Sequence, residues 1–333
     1  MNSATFFDGE EWREGVVDLV DGRMLLRDEP PADGLPRLDG VVTGGFTDHH
    51  VHLQLVDVAG LAASTLGRVV DLGANVTAIS RLAEALAADA DDAADGAGAG
   101  AGIAVDFAGA FLTAPGGYPA DRTWAPDGSF REIGDTAQAA RAVDEMADAG
   151  AHSIKIATNT TAGPVFGDDL FRTIVTLAAS RGLSVVAHAE GPGEAQRAAR
   201  LGAARLAHAP FTERLSDDEI VEQAASVAWI STLAIHDGDT RAIALDNVRR
   251  FHAAGGTVLY GTDMGNGPTP VGLNPSEVAA LHAAGLDDDA VLRALAPADP
   301  LDPATSLLFF PGESPATAQP LRARRLAPTD LKV

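Results

Sequence analysis

The sequence predicts an α/β protein built on a TIM-type (β/α)8 barrel, and three observations carry that expectation. After Gly44, eight short apolar runs recur: "FTDHHVHL", "RVVDLG", "IAVDFAGAFL", "SIKIAT", "LSVVAHAE", "ARLAHA", "VAWISTLAI" and "TVLYGTD". Most are separated by Ala-rich stretches with helical periodicity, several ending in Gly, the usual helix C-cap. Polar residues able to do chemistry collect at or near the ends of these runs. Eight β-then-α units imply a parallel sheet, and eight is the number that closes such a barrel.

The elements follow in order. Residues 15–43 read as short strands with turns: "VVDLV", Asp21-Gly22, "RMLL", then the Pro- and Gly-rich "EPPADGLPRLDG". From residue 44 to 297 the βα rhythm holds, with helices expected over "NVTAISRLAEALAAD", "DTAQAARAVDEMADAG", "DLFRTIVTLAASRG", "GEAQRAARLG", "SDDEIVEQAAS" and "RAIALDNVRRFHAAGG". Two segments break it. "DADDAADGAGAGAG" (89–102) reads as a flexible surface loop. "TAPGGYPADRTWAPDGSFR" (113–131) follows the third strand at its C-terminal end, where barrel active sites sit. After the eighth strand, "NPSEVAALHAAG" and "DDDAVLRALAP" read as helices. Residues 298–333 are Pro-rich with one strand-like piece, "SLLFF". The expected division is thus 1–43, 44–297 and 298–333.

Composition narrows the function. The chain has 333 residues, 46% hydrophobic and 21% charged, an ordinary globular balance. Its net charge of −23 repels phosphate backbones and anionic lipids. The expected partner is therefore a small-molecule substrate, with nucleic acid and membrane excluded and a homo-oligomer left open. The absence of cysteine excludes disulfides, thiolate nucleophiles and Cys-ligated zinc. The N-terminus lacks the apolar core of a signal peptide, so the expected location is the cytoplasm.

The candidate site begins in "FTDHHVHL". Side chains alternate along a strand, so His50 and His52 share a face with Asp48, and His49 and Val51 point the other way. Two imidazoles at i and i+2 can chelate one metal, or be hydrogen-bonded core histidines. His188, His208 and Asp263 close later strands, and Lys155 lies within "SIKIAT". Only Lys155 and Lys332 are lysines among 24 basic residues. A buried unpaired ammonium shifts its pKa toward neutral, and a neutral amine can take up CO2 to become an anionic carbamate. The alternative is a lysine paired with Asp263 or Glu190.

Other polar residues have lesser roles in this reading. Asp48 orients a ligand or braces the barrel. His236, Tyr118 and Glu190 are candidate substrate contacts, with Arg122 and Trp124 in the same loop as Tyr118. Glu190 has the alternative of capping the next helix. His49 is a structural residue, His152 opens the fourth strand as a packing residue, and His252 and His282 lie on amphipathic helices.

These residues resemble the metal-dependent amidohydrolase superfamily, closest to the imidazolonepropionase-like branch with its Xaa-Pro dipeptidases. "GGFTDHHVHL" is similar to that branch's first strand and "STLGRVVDLG" to its second. "LTAPGGYP" is similar to its third-strand loop, and "VVAHAEGPGEAQRAARLGAARLAHAP" to its two-histidine segment. "NVRRFHAAGGTVLYGTDMG" is similar to its final βα unit. The resemblance implies a small β-sandwich formed by the N- and C-terminal segments, reduced here because the C-terminal part is short. It also implies that His50, His52 and Asp263 bind one divalent metal, most readily Zn2+. His188 and His208 would bind a second, and carboxylated Lys155 would bridge the two.

The activity so implied is hydrolysis of a C–N bond in an amide, cyclic amide or dipeptide. A metal-bridging hydroxide would attack, and Asp263 would take its proton and hand it to the leaving nitrogen. Three other readings compete. A mononuclear heterocycle deaminase would more usually show His-x-x-Glu than "HAEG", and would not need Lys155. A lactone, ester or organophosphate hydrolase could use the same two metals. A non-catalytic scaffold barrel would have lost metal ligands, whereas here all six positions are filled.

Overall fold

A computed structural model describes residues 1–95 and 102–331. The chain opens with β1 (Asn2–Phe7), β2 (Trp12–Val20), β3 (Arg23–Arg27) and β4 (Arg37–Gly44). It continues into β5 (Phe46–Val51), β6 (Leu66–Asp71), α1 (Val76–Asp95), β7 (Ala104–Phe107), β8 (Phe111–Thr113) and β9 (Phe130–Glu132). Then come α2 (Thr136–Asp148), β10 (Ser153–Asn159), α3 (Asp168–Ser180), β11 (Ser184–Glu190), α4 (Glu194–Arg200) and β12 (Arg205–Leu206). Next are α5 (Asp217–Ala224), β13 (Ala228–Ile230), α6 (Gly238–Ala253), β14 (Val258–Leu259), α7 (Pro275–Ala283) and α8 (Asp288–Ala294). β15 (Leu307–Pro311) and β16 (Arg324–Arg325) follow.

Several helices start where side chains replace the missing acceptors of the first turn. Asp135 caps α2 through Gln138 N at 2.8 Å, and Ser216 and Glu219 form a reciprocal capping box on α5. Asn274 caps α7, with Pro275 at its first position.

Strands β5 to β14 are parallel throughout. One sheet runs β14-β13-β12-β11-β10-β8-β9 and a second runs β5-β6-β7. All seven residues of β10 are buried, as expected for a parallel strand covered on both faces. Backbone hydrogen bonds link the two sheets. His49 N donates to Tyr260 O at 2.9 Å and His52 N to Met264 O at 2.7 Å, beyond β14. On the other side His152 N donates to Phe107 O at 2.8 Å. Gly45 and Gly67 let β5 and β6 start side by side: a Cβ on Gly45 would lie 2.6 Å from the Gly67 Cα.

The terminal segments share one mixed sheet, in the order β16-β15-β4-β1-β2-β3. Phe6, Val17, Leu38, Val42 and Phe309 form an apolar cluster of their own there. Phe7, Val41 and Phe310 join the main core instead.

Two local expectations change. Residues 89–95 continue helix α1 rather than forming a loop, while 96–101 lie outside the described residues, as does Lys332. "IAVDFAGAFL" is two strands, β7 and β8, broken at Gly109, whose φ of +73° no strand residue adopts. The link from β5 to β6 is made of two 3-10 turns, Leu53–Leu55 and Val58–Ala63.

Candidate metal centre

The C-terminal ends of the parallel strands surround a cavity of about 440 Å³. His50 and His52 enter it from the end of β5. His50 Nδ1 lies 2.7 Å from the Ala207 carbonyl, and His52 Nδ1 lies 3.1 Å from the Gly73 carbonyl. A carbonyl only accepts, so both imidazoles carry a proton on Nδ1 and donate it there. Their Nε2 atoms then face Asp263 Oδ1, at 3.3 and 3.2 Å. Burial drives the His50 pKa well below its ordinary value, so its Nε2 is a bare lone pair. Burial also opposes charge on His52, but the hydrogen bond and charge of Asp263 outweigh it and raise that pKa. Burial opposes charge on Asp263 as well, yet the surrounding histidines hold its carboxyl well below the usual range.

The residues present suit a metal ion. The His50 Nε2 lone pair faces Asp263 Oδ1 in a buried space, and with His50 neutral neither atom brings a proton, an arrangement that a cation would satisfy. Ligand atoms of His50, His208 and Asp263 all lie within 4.8 Å of one another. Imidazole and carboxylate together suit zinc and its first-row neighbours.

His208, just after β12, is held through Nδ1 by Thr232 Oγ1 at 2.9 Å. His188, at the end of β11, lies with its ring 4.9 Å from that of His208. Its Nε2, however, donates to Glu190 Oε2 at 3.1 Å. Glu190 also accepts from Asn159 Nδ2 at 2.7 Å. It does not cap α4, whose first turn is led by Gly193.

Lys155 is buried beneath these groups. Its Nζ has no hydrogen-bond partner, so the expected alternative of a pair with Asp263 or Glu190 is absent. Burial lowers its pKa from 10.5 to about 7, against the pull of Asp263 and Asp71. An orphaned, near-neutral amine beside a cation site is the chemistry a carbamate needs.

The cavity wall continues with the loop after β8. The Tyr118 ring stacks on His188 at 5.1 Å, Trp124 lies 6.1 Å from Tyr118, and the Arg122 guanidinium sits 5.7 Å from the Tyr118 ring. His236 lines the opposite side, 4.3 Å from Phe211, and burial lowers its pKa to about 4.

Asp48 is a brace. Its buried carboxylate accepts from His50 N at 3.0 Å, Thr262 N at 3.1 Å and Thr262 Oγ1 at 2.6 Å, tying β5 to the turn carrying Asp263. His49 lines a separate cavity with Thr47, while Val51 joins the main core; a register shift between Asp48 and Val51 breaks the strict alternation. His152 precedes β10, is half exposed and lies 3.3 Å from Asp106, so it is not a packing residue.

Sequence reasoning passed over Asp71, Thr232, Asn266 and Glu277. Asp71 accepts from Leu53 N at 2.7 Å and Gly73 N at 3.0 Å, fixing the turn whose carbonyl holds His52. Asn266 donates to Asp263 Oδ2 at 2.8 Å. Glu277 accepts from Leu233 N and Ala234 N at 2.9 and 2.7 Å, shaping the turn after Thr232. Asp71 had a signal, a carboxylate closing an apolar run; the others had none. Thr232 and Asp263 both take positive φ, 43° and 54°. Such backbone strain clusters at functional sites.

No family model matches the sequence, and no curated protein matches it. Solved structures do. An amidohydrolase superposes with a TM-score of 0.67 at 18% identity, over 95% of this chain and 92% of that one. A Xaa-Pro dipeptidase gives 0.65 at 16%, over 93% of each chain. An ochratoxinase from A. niger gives 0.69 at 15%, over 94% and 90%. The chain therefore has the amidohydrolase fold.

Proposed function

We propose that this chain is a metal-dependent amidohydrolase that cleaves a C–N bond in a small amide, cyclic amide or dipeptide. The observation that carries the reading is the pair His50 Nε2 and Asp263 Oδ1, two acceptors 3.3 Å apart in a buried site. The amidohydrolase fold supports it. We read the two parallel sheets as one closed (β/α)8 barrel spanning residues 44–297, since hydrogen bonds join them on both sides. Residues 1–43 and 298–333 make the accessory sheet in this reading.

His50, His52 and Asp263 would hold one divalent ion, most readily zinc, and His188 and His208 a second. Lys155 would bridge them as a carbamate, formed when its neutral amine adds CO2 and releases a proton. Such ions supply Lewis acidity, polarising a carbonyl and acidifying water. The remaining work falls to the chain. Asp263 takes a proton from the attacking water and returns it to the departing nitrogen. Asn266 keeps its second oxygen oriented through the 2.8 Å hydrogen bond. Tyr118 and Trp124 give the substrate an apolar wall and keep water from it. Glu190 and His236 offer polar contacts on the other side.

The 3.1 Å bond between His188 and Glu190 favours a second reading. In a mononuclear heterocycle deaminase those two residues would shuttle the proton, and one ion would suffice.

Metal-reconstituted protein assayed against Xaa-Pro dipeptides, N-acyl amino acids, cyclic amides, lactones and heterocyclic amines decides between them. Amine or acid release from an amide supports the proposal. Ammonia release from heterocyclic amines alone supports the second reading, and turnover of lactones or esters alone contradicts both.

A further inference from the structure

A second cavity, of about 330 Å³, lies at the opposite, N-terminal end of the parallel strands. It is lined by side chains from five of them: His49 on β5, Arg68 on β6, Asp106 on β7, Ser153 on β10 and Arg205 on β12. Three of these have unanswered donors. Both ring nitrogens of His49 are buried and without a partner, so whichever tautomer it takes, one N–H lacks an acceptor. The buried hydroxyl of Ser153 has no partner either. Arg205 is half-buried, makes one hydrogen bond, to Ser184 Oγ at 3.1 Å, and pairs with no carboxylate among the described residues.

The charge of the cavity is positive in a chain of net charge −23. Its single carboxylate, Asp106, is already engaged by Arg68 at 2.7 Å and approached by His152 at 3.3 Å. That leaves the Arg205 guanidinium with only a longer-range attraction to Asp106 and no carboxylate in contact. Buried polar groups are ordinarily hydrogen-bonded, and unmet donors converging from separate strands on one positive space call for an acceptor. Water would satisfy single donors but not the charge.

We infer that this cavity is a binding site for a small oxyanion, tetrahedral in shape, with inorganic phosphate as the nearest simple case. Arg205 provides the charge, and Ser153 and His49 direct hydrogen bonds to oxygens on other sides. A tetrahedral ion presents oxygens outside any one plane, whereas the two oxygens of a carboxylate accept mainly within one plane. The site is separate from the proposed metal centre, and does not depend on the hydrolase reading.

Isothermal titration calorimetry with inorganic phosphate tests this, using metal-loaded wild type, Arg205→Met and Ser153→Ala, and Asp263→Asn as purified. The inference expects one phosphate whose affinity falls at least about 10-fold in Arg205→Met and measurably in Ser153→Ala, because a charge-assisted hydrogen bond is lost. Binding should survive in Asp263→Asn. If wild type binds two phosphates, one must vanish in Arg205→Met. Should Arg205→Met fail to fold, the Ser153→Ala result decides alone. The inference is overturned if phosphate does not bind up to about 10 mM. It is also overturned if binding is unchanged in both lower-cavity variants, whether or not Asp263→Asn retains it. Acetate is expected to bind more weakly than phosphate; tighter binding would remove the tetrahedral assignment.

Discussion

Lys155 Nζ stands 5.7 Å from the centre of the Phe111 ring and has no hydrogen-bond partner. The ring face is a weak substitute for water or a carboxylate, so the buried ammonium is left largely uncompensated.

Lys155→Met is therefore expected to abolish activity while stabilising the chelator-treated protein. The folded pKa of about 7 lies below the unfolded 10.5, a difference worth about 5 kcal/mol. Below pH 7 both states hold the proton and the native state bears the full penalty. As pH rises toward 10.5 the native lysine is already neutral while the unfolded one is still charged, so wild-type stability climbs. Denaturant unfolding of both proteins at pH 7 and pH 10 checks this. The stability gap should be large at the lower pH and mostly closed at the higher one; a constant gap would contradict it.

Asp48→Ala should destabilise the fold by about 2–4 kcal/mol, because it leaves the Thr262 hydroxyl and two backbone N–H groups buried and unsatisfied. Thr262→Val removes one of these bonds and should cost less. Urea midpoints rank the two; equal effects would mean that Asp48 does not brace the strands.

Thr232 touches no expected substrate but fixes the His208 ring. Thr232→Ala is predicted to lower metal affinity about 10- to 100-fold, with Thr232→Ser close to wild type. Competition with a chromogenic chelator reads the difference. Equal loss in both variants would mean that the methyl group, not the hydroxyl, matters.

Tyr118→Ala is expected to leave metal content unchanged and to reduce kcat/KM about 10-fold, through loss of aromatic contact at the cavity wall. Loss of metal in this variant would instead make Tyr118 a support for His188.

Much of this architecture could be read before the structure, because strand runs and helix caps are local signals. His50, His52, Lys155, His188, His208 and Asp263 all line one cavity, and each sits within or at the close of an apolar run. What could not be read depends on which atoms meet across strands. Nothing local marks Thr232 as the partner of His208, or Glu277 as the acceptor for the turn that follows. The break at Gly109 hid because Ala-Gly-Ala reads as apolar strand. Residues 89–95 looked like loop by their low complexity, although alanine is the strongest helix former. The orphaned donors of His49, Ser153 and Arg205 come from strands far apart in sequence, and only the fold gathers them.

The most direct test of the central claim is the metal content of each chain. Protein purified without chelators and with bicarbonate present would be measured by elemental analysis, beside His50→Ala and Asp263→Asn. Close to two divalent ions per wild-type chain, with marked loss in both folded variants, is the predicted result. A wild-type chain that takes up no metal, or variants that keep all of it, would contradict the account.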